Sequence, residues 1–165
     1  MRGVINLRER LITPTSQDES QLESVCRKEF ECIVERAKCG ILLTHDGIRV
    51  RVFSDRFDHA FRTAQDWCAN PSAKDKLDRE RLVRVRWIEP VVGGCVARSA
   101  CWLVKGANNR GRPENRMYLV WDENYVVWLD PTKDGAWRFS SAYRARDTLI
   151  RNYTRNGEEI WRRKE

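Results

Sequence analysis

The chain has 165 residues, of which 41% are hydrophobic and 33% charged, enough for one ordinary core beneath a heavily ionic surface. Its net charge is +7 with a pI near 9.3, and most of the basic side chains are arginine, whose fork matches phosphate oxygens. Six cysteines (26, 32, 39, 68, 95 and 101) without CxxC spacing exclude a disulfide scaffold, and the longest apolar run, "YVVWL", falls far short of the ~20 residues of a membrane span. No leading apolar segment resembles a secretory signal, so a soluble, reducing, cytoplasmic setting is expected.

The charge is uneven. Residues 1–40 carry seven basic and seven acidic groups and cancel, whereas residues 138–165 carry eight basic against four acidic groups. Taken along the chain, residues 1–14 read as a loosely attached arm ending at Pro14. Ser16 and Glu19 make a capping-box pattern that opens a helix, with Leu22, Cys26, Phe30, Ile33 and Ala37 near helical spacing and Gly40 at its end. "ILLTHDGIRVRVF" reads as a β-hairpin turning at His45-Asp46-Gly47. From Ser54 a second helix follows, with Phe57, Ala60, Phe61, Ala64 and Cys68 on one face. "NPSAKD" is a loop. "RERLVRVRWIEP" fits both an alternating strand and a short helix stopped before Pro90, and its period leaves the choice open.

Beyond Cys95 the pattern is largely β. "VARSACWLVK", "NRMYLVWD", "YVVWLDP" and "AWRFSS" read as strands, the second and third joined by a tight "DEN" turn. A helix from about Tyr143 to Tyr153 and a charged tail through Trp161 complete the chain. Helices first and an antiparallel meander afterwards make an α+β fold. Residues 1–47 form an N-terminal arm, helix and the start of the hairpin, and 48–165 the functional part of one compact unit.

Several residues are candidates for chemistry. His59 lies about 140° from the centre of its helix's apolar stripe, with Asp55 one turn earlier to orient the ring; an imidazole suits general acid–base work on a phosphodiester. On a strand, Trp137, Phe139 and Ser141 share one face with Tyr143 just beyond, and Arg138 and Ser140 share the other. Hydroxyls and backbone N–H groups at the following helix start would suit a phosphate, or would simply cap the helix. Arg144, Arg151 and Arg155 align along one face of that helix as a track for a nucleic-acid backbone, with Arg62 a further basic group beside His59. Trp121 or Trp128 would stack a base if its face is open. His45 reads as turn chemistry. Asp122 and Glu123 are explained by their hairpin turn rather than by a two-metal site. Cys26 and Cys32 point apart on their helix, so zinc with Cys39 and His45 is disfavoured and buried free thiols are the default. Glycine-rich phosphate loops and Ser-His-Asp motifs are absent, and neither cofactor nor metal is expected.

The order of these elements resembles the barnase/EndoU/colicin/RelE-like nuclease superfamily, in its phage- and mobile-element-associated branch. The resemblance runs over about residues 48–161, through "SDRFDHAF", "RERLVRVRWIEPVV", "RMYLVWDENYVVWLDP" and "WRFSSAYRARDTLIRNY". It implies N-terminal helices against a four-stranded antiparallel sheet with a C-terminal helix, and a metal-independent ribonuclease site on the sheet. It assigns the catalytic imidazole to His59, a hydroxyl and aromatic pair to Ser141 and Tyr143, and an arginine to Arg116 or Arg138. It also tips "RERLVRVRWIEP" towards helix.

The expected function is therefore a toxin-like or phage-effector RNA endonuclease that cleaves by 2′-OH attack, with an antitoxin, immunity or host protein as a further partner and no membrane association. Two rivals stand beside it. One is a non-catalytic basic protein on the same scaffold, binding RNA, DNA or an acidic protein. The other is an interaction protein whose aromatic surface engages a host factor.

Overall fold

The computed structural model describes residues 3–13, 18–105 and 114–165. The N-terminal arm is not loosely attached: Leu7 and Ile12 are buried in the main core, and the Ile5 and Ile12 N–H groups donate to the Cys95 and Val83 carbonyls. After the arm's 3-10 turn at Leu7–Arg10, α1 (Glu19–Lys38) buries Leu22, Cys26, Phe30, Ile33 and Ala37, with Val34 widening the stripe. Ser16 of the expected capping box lies outside the described residues; the cap that closes α1 is Asp18, whose carboxylate accepts the Ser20 N–H at 2.9 Å. The His45-Asp46-Gly47 turn is present, with Gly47 at φ +82° and the Thr44 hydroxyl accepting the Ile48 N–H. Its arms join through a single bridge, Leu43 to Arg49, because the second arm leaves to form β1 (Val50–Arg51), parallel to a distant strand.

α2 (Arg56–Phe61) is shorter than its apolar pattern predicts. The Asp78 N–H takes the Phe61 carbonyl at 2.9 Å, and Arg62 turns extended. The chain then forms a two-stranded ribbon, β2 (Arg62–Thr63) with β3 (Lys76–Leu77). Ala64 is buried off the helix, and Cys68 is exposed. The ambiguous "RERLVRVRWIEP" is helical: α3 (Arg79–Leu82), a 3-10 turn at Val85–Trp87, and α4 (Ile88–Val92). Pro90 does not stop it. As the third residue of α4 it occupies a position whose N–H has no intrahelical acceptor, so nothing is lost. Trp87 is fully buried, edge-on to Tyr125.

The meander follows as β4 (Ser99–Val104), β5 (Asn115–Val120), β6 (Tyr125–Pro131) and β7 (Trp137–Arg144). α5 (Asp147–Arg155) and β8 (Gly157–Arg163) complete the chain. The sheet has six strands rather than four, in the order β1-β7-β6-β5-β4-β8. The charged tail, to which the sequence reading gave no regular structure, is an antiparallel strand that covers the open edge of β4, and β1 covers part of the edge of β7. Nor does Tyr143 begin a helix. It pairs with Val126 inside β7, and Arg144 pairs with Tyr125.

One irregularity decides what each face of β7 carries. Trp128 pairs with Ser141 and Leu129 with Phe139, so Ser140 is an extra residue in β7. This bulge reverses the alternation expected from the sequence. Phe139 and Ala142 face the main core, where Phe139 meets Phe30 of α1. Ser141 and Tyr143 turn to the opposite face, where α5 sets Ile150 against Trp102, Val104, Met117, Leu119 and Val126. No helix among the described residues is long and apolar enough to cross a membrane.

Candidate functional site

The extra Ser140 also anchors α2. Arg56 forks onto it, Nε donating to the Ser140 carbonyl at 2.9 Å and a terminal nitrogen to its hydroxyl at 3.0 Å. Phe57, Ala60 and Phe61 are buried beneath, so His59, one turn after Arg56, is exposed at the edge of β7. Here α2, the β2–β3 connection, α3 and β7 enclose a cleft of about 310 Å³, lined by His59, Trp67, Lys74, Arg81, Ser141 and Tyr143. Three sequence candidates about eighty residues apart, His59, Ser141 and Tyr143, thus share one concavity.

The electrostatics of this cleft are one-sided. Arg81 stacks its guanidinium 4.8 Å from the centre of the Tyr143 ring, donates to the Ala60 carbonyl at 3.2 Å and pairs with Asp78 at 3.3 Å. Partial burial against the wall lowers the His59 pKa, and the positive charges of Arg56, Lys74 and Arg81 lower it further, against a weaker opposing pull from Asp130. The Lys74 ammonium is likewise made more acidic by burial and by Arg81 and Arg56. At neutral pH the imidazole is therefore a free base among cations, and an anion entering the cleft would relieve their mutual repulsion. Trp67, 69% exposed, stands at the same cleft with an indole face available for stacking. Asp55 does not orient His59; it lines a separate hollow with Phe53, Ser54, Arg56 and Arg138.

Tyr143 offers its ring, rather than its hydroxyl, to this cleft. Its Oη accepts the Trp128 indole N–H at 3.1 Å and shares a hydrogen bond with the Tyr153 hydroxyl at 2.8 Å. Those groups belong to a second cleft, about 430 Å³, on the other side of Tyr143 between the open sheet face and α5. Tyr143 and Ser141 line both.

The remaining candidates are dispersed. Arg116 lies on the helix-covered face, 7% exposed, clasped by Asp46 at 2.8 and 2.7 Å and stacked over Trp137; it does not reach the cleft. Arg138 points to the neighbouring hollow and meets Asp130 at 3.4 Å. Arg62 is held by Glu23 and Asp58. Arg144 is on the strand, not the helix, and bonds Glu80 and the Glu123 carbonyl. Arg151 and Arg155 do share a face of α5, one turn apart and exposed. His45 is more than a turn residue: its ring stacks on Trp161 at 4.6 Å, and Nδ1 meets the Tyr118 hydroxyl at 2.7 Å. All six cysteines are free, and among the described residues no three His, Cys, Asp or Glu side chains gather to hold a metal ion.

Comparison of the chain with family models, curated proteins and solved structures finds no match.

Arg56, Lys74, Arg81 and Trp67 are the residues that sequence reasoning missed. Lys74 comes from a connection with no periodic pattern, Trp67 from a stretch expected to continue α2, which ends at Phe61, and Arg81 from a segment whose period suited two structures. The bulge that turns Ser141 and Tyr143 outward has no sequence signature.

Proposed function

We propose that the cleft beside His59 binds an RNA phosphodiester and cleaves it by attack of the adjacent ribose 2′-oxygen. The observation that carries this reading is the union of a free-base imidazole with Lys74 and Arg81 around one open concavity, with the Arg56 charge in the neighbouring hollow acting on the same ring. Phosphoryl groups are drawn to such a site by charge, and the charge growing on the phosphorane is met by fixed cations.

In this reaction His59 takes the proton of the 2′-OH, and the 2′-oxygen bonds to phosphorus. The bond from phosphorus to the 5′-oxygen breaks, leaving a 2′,3′-cyclic phosphate. The departing oxygen takes a proton from Lys74, whose ammonium is more acidic than usual, rather than from the Tyr143 hydroxyl, which faces Trp128 and Tyr153. Ser141 holds a nonbridging oxygen. The toxin-like or phage-effector setting, and an antitoxin or immunity partner, rest on the resemblance alone.

RNA incubated with the purified chain in excess chelator should be cut, with His59→Ala slower by about 10² to 10⁴ and Arg81→Gln by about 10². Undiminished cutting by His59→Ala would remove the proposal. A second reading has one observation in its favour: the cleft holds a single imidazole, while the Tyr143 hydroxyl is already engaged. It describes a binder that retains RNA through the same cations, with no scission at any pH.

A further inference from the structure

The second cleft differs in character from the first. Its walls are aromatic, with Trp128 and Tyr153 meeting edge to face, centroids 4.8 Å apart and planes at 85°. The Trp128–Tyr143–Tyr153 hydrogen bonds fix these rings as one unit. Around that corner stand Asn115 and Asn152, whose side-chain amides have no protein partner among the described residues, and Asp130. Each amide offers donors and an acceptor in one plane. Aromatic walls with a few convergent polar groups, at about 430 Å³, suit a planar heterocycle with hydrogen-bonding edges.

Its position says what that heterocycle is joined to. Ser141 and Tyr143 line this cleft and the cationic one alike, so one ligand spanning both would place a ring in the first and an anion in the second. A base linked through ribose to phosphate has that construction. We infer that the cleft between α5 and the open sheet face is a nucleobase subsite, seating the base of a nucleotide whose phosphate lies in the cationic cleft. Stacking against Trp128 or Tyr153 supplies a sequence-tolerant part of the affinity, and the Asn115 and Asn152 amides read the edge of the base. Such a seat accepts only an unpaired nucleotide, so the substrate class is single-stranded.

This inference rests on the phosphodiester reading for the second half of its ligand, but its test does not. Adenosine, guanosine, cytidine and uridine carry no phosphate and can be titrated into the full-length chain by 1H–15N NMR. The Trp128 indole signal is identified by its loss in Trp128→Phe. At least one nucleoside should shift that signal and the Asn152 side-chain amide saturably, with a dissociation constant on the order of 1 mM. Asn152→Ala, an exposed position, should weaken binding about 5- to 10-fold, and Tyr153→Leu should weaken it further. No shift with any nucleoside, an equal shift with free ribose, or affinity unchanged in both variants would overturn the subsite. If RNA is cut but no nucleoside binds, the base subsite alone fails. If a nucleoside binds but RNA is not cut, the nuclease reading fails and the pocket stands.

Discussion

Replacing Lys74 with glutamine tests whether the cationic cleft is where a nucleic acid sits. Lys74 has no carboxylate partner among the described residues, whereas Arg56 lines the neighbouring hollow and is fixed on Ser140. Arg81 is partly neutralised by Asp78. At most about two charges, those of Lys74 and Arg81, thus face the cleft, and for single strands each phosphate neutralised contributes ~0.7 to the slope of log K against log salt. The cleft therefore contributes a slope of up to about −1.4, at most a ~7-fold loss of affinity from about 50 to about 200 mM salt, and Lys74→Gln should remove at least half of that contribution. The assay is fluorescence anisotropy with a labelled single-stranded RNA in a His59→Ala background, where the probe stays intact. Arg62→Gln is the control: its charge is already met by Glu23 and Asp58, so its slope should match the parent. An unchanged slope in Lys74→Gln, or a drop confined to an Arg151→Gln/Arg155→Gln variant, would place the polyanion elsewhere.

Other consequences are equally specific. The chain has two histidines, so the His59 ring can be followed by NMR; it should titrate below the ordinary imidazole value, and Arg81→Gln or Lys74→Gln should move it upward by removing a repelling charge. Asp46→Asn strands Arg116, which has 8% side-chain exposure against 37% for Asp46. A fully buried break would cost about 3–5 kcal/mol and a surface one about 0–1, so about 2 kcal/mol is expected, or a Tm lower by ~4–8 °C. Because Arg116 holds the Asp46 carboxyl below its usual range, this stabilisation is complete above the unfolded value of about 3.9 and is lost as pH falls through the folded value, so melting curves of parent and variant should converge in acid. Gly94→Ala puts a Cβ 2.9 Å from both His45 and the Trp161 ring at φ +68°, and urea unfolding should show a loss of about 1–3 kcal/mol.

How much of this was readable beforehand depends on the range of the interactions involved. The stripe Leu22–Cys26–Phe30–Ile33–Ala37 identified α1 because helix burial is written locally, and the apolar runs from Cys95 identified the meander for the same reason. β8 was not legible: "GEEIWRR" carries few apolar residues, and it is a strand because β4 has an edge to cover. The length of α2 was overestimated because Ala64 is buried off the helix, after Asp78 has captured the Phe61 carbonyl.

The site was legible in part. His59 could be placed opposite an apolar stripe, but the helix start expected beside Ser141 and Tyr143 lies further on, at Asp147, and Arg116 could not be assigned to a face, since alternation does not say which side is covered. Ser140 then reversed the expected sidedness within β7. Lys74 and Arg81 entered through tertiary contacts that no local pattern encodes.

The most direct test is the chemistry of the cut end. A single-stranded RNA and its 2′-deoxy counterpart, each treated with the purified chain in excess chelator, can be compared by mass spectrometry. Cyclic 2′,3′-phosphate termini from the RNA alone, absent with His59→Ala, are the expected result. Scission of the 2′-deoxy strand, termini without a cyclic phosphate, or intact RNA across the pH range would contradict attack by the ribose hydroxyl at this site.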